Sequence, residues 1–229
     1  MVSNLDISPA GDAALLIKLG NQINPLVNRQ VYHLVNRLTQ VSLPGIGEII
    51  PAYASLLVHY DPNLLDYAVV VRWVEQSILQ LEKQDLPTPR LVKIPTLYGG
   101  DDGPDLGFLA KHCGLSETEV IRLHASVTYT VYMMGFTPGF AYLGGLPEKL
   151  AAPRLEIPRT HIRAGSVGIA GNQSGVYPID SPGGWRIIGW TPLRLFDPLG
   201  EPPTLLSAGD QVCFVPISSL EMLNGLTGT

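Results

Sequence analysis

The sequence predicts an α+β protein in two domains, with an alternating strand and helix layer first and a β-rich barrel or sandwich second. Three observations carry this expectation. Residues 1–88 read in β-α-β-α order. The polar stretch "KQDLPTPR" then places two prolines where they favour extended backbone and a domain joint. From Val127 onward, short apolar runs are separated by glycine and proline turns, the pattern of a sheet closed or folded on itself. The expected domains are therefore 1–88 and 89–229.

Within the first domain, "DAALLIKLG" reads as a strand. Asn24 is placed to N-cap a helix with Pro25 at its first position. Val27, Val31, Leu34, Val35 and Leu38 then recur at helical spacing and form one apolar stripe. "GIGEIIPAYASLLVHYD" returns as one or two strands broken at Pro51. A second amphipathic helix follows through Val70, Val74, Ile78 and Leu81. Two helices over one sheet can bury one of its faces.

In the second domain, "LVKIPTLY" reads as a strand. "GPDLGFLAKHCG" reads as a short helix opened near Pro104 and closed by Gly114. "SETEVIRLHA" reads as another, opened by the capping box Ser116 to Glu119. "TYTVYMM", "GSVGIAG", "WRIIGW", "LRLF" and "QVCFVPI" are the expected strands beyond them.

Composition narrows the function. Hydrophobic residues make up 45% and charged residues 15%, which is the balance of a folded globular chain. A net charge of -5 argues against a nucleic-acid partner, which demands a basic face. No apolar run reaches the length of a membrane span, and "MVSNLDISPAGD" lacks the basic and apolar pattern of an export signal. A cytoplasmic location is the expectation. Cys113 and Cys213 have no metal or redox spacing, and Cys213 in "QVCFVPI" reads as a buried free thiol. The five histidines show no metal-ligand pairing, so no metal site is expected.

Chemistry concentrates between residues 135 and 203, which hold half of the 24 glycines and half of the 20 prolines. Phe136, Phe140, Tyr142, Tyr177, Trp185 and Trp190 are interleaved there with Arg154, Arg159, Arg163, Arg186 and Arg194. No lysine follows Lys149. A guanidinium offers a planar fork for carboxylate or phosphate, so this texture points to an anion-recognising cleft; surface arginines are the simpler alternative. "GSVGIAGNQSG", with Ser166, Gly168 and Gln173, matches no dinucleotide or P-loop motif, but its backbone N–H groups could face an anion. Asp180, before "SPGGW", can position a proton or simply turn the chain. His161 reads as a surface residue or local hydrogen bonder. No catalytic residue can be assigned from spacing.

Four stretches, "GFTPGFAYLGGLP", "PRLEIPRT", "AGSVGIAGNQSGVYP" and "SPGGWRIIGWTPLRLFDP", resemble in order and spacing those of the B subunit of the bacterial 5-oxoprolinase. That family is also described as allophanate hydrolase subunit 1 or the Kip-type inhibitor of a sensor histidine kinase. The resemblance implies an N-terminal α+β sandwich domain followed by a cyclophilin-like β-barrel. It also implies a component, inactive alone, of an ATP-dependent lactam hydrolase that opens 5-oxoproline to L-glutamate with an A and a C subunit. ATP would be bound by the assembled complex. The alternatives it carries are a kinase-inhibiting regulator and the equivalent half of a urea- or allophanate-processing enzyme.

For such a reaction the cleft is expected to include Phe136, Phe140, Arg154, Arg159 and Arg163. Ser166, Gly168 and Gln173 would supply N–H donors, with Tyr177, Asp180 and Trp185 beside them. Arg159 or Arg154 is assigned to the substrate carboxylate, and Phe140 to the cleft wall or the C-subunit contact. The chain departs from the family pattern at Arg163, where proline is usual, and at Trp190, where arginine is usual.

Overall fold

The computed structural model describes residues 5–22, 24–80 and 88–220. The chain divides into two units, Met1–Thr88 and Pro89–Thr229. Leu81 and residues 83–87 of the expected joint lie outside the described residues.

In the first unit, β1 (Asp6–Pro9), β2 (Ala14–Lys18), β3 (Ile46–Pro51) and β4 (Ser55–Tyr60) form an antiparallel sheet in the order β1-β2-β4-β3. Strand β1 was not expected, because Leu5 and Ile7 are too few apolar residues to signal alternation. The helices are α1 (Pro25–Gln40) and α2 (Tyr67–Leu79). Alternation turns Leu15, Ile17, Leu56, Val58 and Tyr60 to one face, where they meet Val31, Leu34 and Leu38 of α1 and Val70 and Val74 of α2. The Asn24 side chain accepts the Leu26 N–H at 2.8 Å, as an N-cap should.

The second unit is a closed barrel, which removes the exposed edges of an open sheet. Its strands are β5 (Leu91–Tyr98), β6 (Tyr129–Met134), β7 (Ala141–Gly144), β9 (Ser166–Ala170), β10 (Gln173–Val176), β12 (Arg186–Trp190) and β13 (Gln211–Pro216). They run in the order β10-β7-β6-β13-β5-β12-β9. A separate two-stranded flap pairs β8 (Arg159–Ile162) with β11 (Ser181–Gly183). The stretch "LRLF" is not a strand; only Phe196 makes an isolated bridge, to Thr204. Helices α3 (Leu106–Cys113) and α4 (Glu117–Ala125) fall where expected. Gly114 caps α3 at φ +64°, and the Ser116–Glu119 capping box is formed. No described helix is long and apolar enough to cross a membrane. Cys113 and Cys213 are free thiols, and Cys213 is half-buried rather than fully enclosed.

Ile94, Val131, Leu143, Val167, Ile169, Val176, Ile188 and Phe214 share the main core of this unit with Leu106, Leu109 and Val120 of the helices. One imidazole, His124, is wholly buried beside it. Its Nδ1 lies 2.8 Å from the Tyr98 hydroxyl and its Nε2 lies 2.9 Å from Ser174 Oγ. Ser174 donates to the Gly168 carbonyl at 3.2 Å, so its lone pairs are left to accept from Nε2–H, and Nδ1 accepts from Tyr98. The ring is held neutral, and burial pushes its pKa down to about 3 from an ordinary 6.5.

That depression has a definite sign. As pH falls, the unfolded chain takes up the proton before the folded one. The His124 contribution to stability is therefore complete above 6.5 and is lost as pH falls from 6.5 towards 3. The loss runs at about 1.4 kcal/mol per pH unit. Thermal melts between pH 6.5 and about 5, above most carboxylate titration, should show a falling Tm. His124→Leu should melt lower at neutral pH and show a flatter slope in that window; an unchanged slope would remove His124 as its source.

Candidate functional site

The site begins with two missing side chains. Across the outer wall of the barrel, Tyr142, Gly175, Gly168 and Ile187 lie in one cross-strand row. A Cβ on Gly175 would come within 2.9 Å of the Trp185 ring and 3.0 Å of the Phe140 ring, and one on Gly168 within 3.1 Å of Trp185 Cβ. The paired glycines thus open a slot in the wall, and Phe140 and Trp185 fill it. Phe140 meets Trp185, Tyr177 and Tyr142 edge-on, with ring centroids 5.4, 5.2 and 4.9 Å apart. With Ile162, Ala170 and Ile187 these rings form a second, smaller core.

The β8–β11 flap closes over that core through Ile162. Alternation along β8 sets Arg159, His161 and the following Arg163 on the opposite face from Ile162. Each is met by a carboxylate. Asp105, only 7% exposed, accepts both terminal nitrogens of Arg159 at 2.8 and 2.9 Å and the Ile187 N–H at 2.7 Å. Those bonds raise the Arg159 pKa against the opposing effect of burial. Asp102 pairs with Arg163, whose guanidinium lies 4.1 Å over the Trp190 ring. Trp190 donates its indole N–H to the Ala164 carbonyl at 2.7 Å. Asp180 accepts the Ala164 N–H at 2.7 Å and turns its other oxygen to His161 Nε2 at 3.9 Å.

Between the flap and the turn 101–105 lies a cleft of about 250 Å³. Asp101, Asp102, Pro104, Arg159, His161 and Arg163 line it, with Ile162, Ser166 and Ile187. Ser166 is only 5% exposed as a residue. Every guanidinium facing this space already has a carboxylate beside it.

These placements revise several expectations. Arg159 is not an open fork, because Asp105 occupies it. Phe140 is 1% exposed and is core rather than cleft wall. The prolines and glycines of its loop build a support: Thr137–Phe140 closes a turn with Pro138 second and Gly139 third at φ +84°, and Phe140 N–H bonds Thr137 O at 3.1 Å. Trp185 and Tyr177 are also core. Burial raises the Tyr177 pKa to about 12, opposed by the Trp185 N–H and by the charges of Arg154 and Arg159. "GSVGIAG" is strand β9 and its flanks, so its amides serve the ladder and Gly168 serves packing.

Arg154 is exposed and without an ion pair among the described residues, but it lies outside the cleft lining, as do Phe136, Gln173 and Asp180. Phe136 is 61% exposed, at φ +73°, with its ring edge-on to Phe140. Ser166 and Arg163 are in the cleft. His161 also lines the cleft, and it remains a surface residue as its sequence context predicts, with its side chain 66% exposed. Asp102 and Asp105 were missed. Their signal was the match between "DDGPD" and the alternating "RTHIR", which single-segment reading does not connect.

Two substitutions separate core from cleft here. Phe140→Ala should cost about 3–5 kcal/mol in denaturant unfolding, as an aromatic removed from a closed core does. Gly175→Ala should also destabilise, by overpacking against the same two rings, at about 1–3 kcal/mol. A Phe140→Ala loss below about 1 kcal/mol would mean that the slot is not packed as described.

Comparison with known proteins places this geometry. The model of the carboxyltransferase domain, subdomain C and D, matches residues 5–206. The chain is 46% identical over 228 residues to the 5-oxoprolinase B subunit of Bacillus subtilis (strain 168), covering 95% of each chain. It is 44% identical over 211 residues to the 5-oxoprolinase B subunit of Escherichia coli O157:H7, covering 90% of this chain and 93% of that one. Among solved structures, TTHA0988 superposes on 90% of this chain with a TM-score of 0.80 and 35% identity; this chain spans 40% of the length of that protein. The match runs through both units and through every segment that builds the slot, the flap and the cleft, and on that basis the chain belongs to the family of 5-oxoprolinase B subunits.

Proposed function

We propose that this chain is the B subunit of an ATP-dependent 5-oxoprolinase, which opens 5-oxoproline to L-glutamate together with an A and a C subunit. The observation that carries this reading is the near full-length identity to two proteins named as that component. The site is compatible with it. A lactam offers a carbonyl, an N–H and, in 5-oxoproline, a carboxylate. The cleft offers the hydroxyl of Ser166, the guanidinium of Arg163 and the imidazole of His161. Arg159 has a different part: bound to Asp105, it holds the flap so that the other groups keep their spacing.

An unstrained lactam resists water, and in the assembled complex ATP would supply the phosphoryl group needed to activate the carbonyl. The cleft on this chain does not fit a triphosphate. It holds only about 250 Å³, the acidic Asp101 and Asp102 line it, and no P-loop precedes it. In this reading the nucleotide is held elsewhere in the assembly, and the chain alone is inactive.

Reconstitution tests the reading. The purified chain with ATP and 5-oxoproline should release no glutamate, and adding the A and C subunits should produce it. Robust turnover by the chain alone, or none in the full mixture, would contradict the proposal.

A further inference from the structure

The cleft holds two arginine–aspartate pairs of unequal commitment. Asp105 is buried, grips Arg159 with both oxygens and accepts a third bond from Ile187. Displacing it would strand a buried carboxylate, which is costly. Asp102 and Arg163 differ in every respect. Their side chains are 30% and 49% exposed, and an exposed ion pair contributes little to stability. Arg163 does not depend on Asp102 for its position, because the Trp190 ring supports one face of the guanidinium and the Ala164 carbonyl fixes that indole. Removing Asp102 therefore leaves the arginine edge in place. Ser166, a buried residue of β9, lines the same space and can offer it a hydroxyl.

We propose that Arg163 is the carboxylate-recognising residue of the cleft, that Asp102 is a built-in stand-in which the ligand carboxylate displaces, and that the Ser166 hydroxyl bonds the ligand beneath it. The ligand class is a small, planar monocarboxylate bearing an amide, small enough for about 250 Å³. Its carboxylate takes the place of Asp102 on the guanidinium edge, and its amide reaches Ser166. Choosing 5-oxoproline as the probe rests on the function proposed above; the exchange at Arg163 does not.

The two ideas are separated by measuring binding to the full chain as well as turnover of the assembled complex. At low ionic strength, Asp102→Asn should bind 5-oxoproline about tenfold or more tightly than the unaltered chain, because the internal competitor loses its charge. Arg163→Ala should lose about tenfold or more, the scale of a charge-assisted hydrogen bond. 2-Pyrrolidinone, the same lactam without the carboxylate, should be insensitive to both changes and weakened by Ser166→Ala.

In the assembled complex, the same variants should shift KM for 5-oxoproline in the same directions. Unchanged or weaker binding by Asp102→Asn, normal binding by Arg163→Ala, or no binding by Asp102→Asn at millimolar ligand would each overturn the proposal. Asp102→Asn gaining affinity for acetate while the complex fails to release glutamate would sustain the exchange and refute the 5-oxoprolinase reading.

Discussion

A buried carboxylate must be compensated where it stands, and Asp105 is the one around which this barrel organises its site. Three donors meet it: two from Arg159 in the flap and one from the backbone of β12. Breaking such a set leaves an uncompensated charge, so the turn, the flap and the barrel wall are fixed relative to one another by one residue. The arginine and aromatic texture of this chain is thereby divided between two tasks. One guanidinium holds the flap, and another, stacked on Trp190, stays exposed enough to meet a ligand.

The wall beneath the flap works by omission. Gly168 and Gly175 sit opposite each other in neighbouring strands, and the space their side chains would take is given to Trp185 and Phe140. A flap of only two short strands could not order itself, since an isolated hairpin is marginal in water. Ile162 resting on those rings supplies its apolar anchor, and Asp105 gripping Arg159 supplies the polar one. The cleft is what remains between two anchored pieces, so its shape depends on packing at residues that never touch a ligand.

Local signals read well. Asn24 with Pro25, the Ser116–Glu119 box and Gly114 at φ +64° are decided by residues within a few positions, and each appears as expected. Five of the seven barrel strands, β5, β6, β9, β12 and β13, also followed from apolar runs between turns, whereas the short β7 and β10 carry too few apolar residues to signal one. The site was harder because its contacts are distant in sequence. Arg159 and Asp105 lie 54 positions apart, and nothing in either segment names the other. The glycines of "GSVGIAGNQSG" misled for a related reason. A missing Cβ looks alike in sequence whether it exposes an amide or admits a ring, and only the cross-strand register distinguishes the two.

The most direct test of this account is a double-mutant cycle between Asp105 and Arg159, read by denaturant unfolding of Asp105→Ala, Arg159→Ala and the double variant. If this pair holds the flap to the barrel, each single change should destabilise markedly. The coupling energy should then exceed about 1.5 kcal/mol, the scale of a charge-assisted hydrogen bond. Additive losses, with coupling below about 0.5 kcal/mol, would show that the flap is held by its apolar contacts alone and that Arg159 is free for another role.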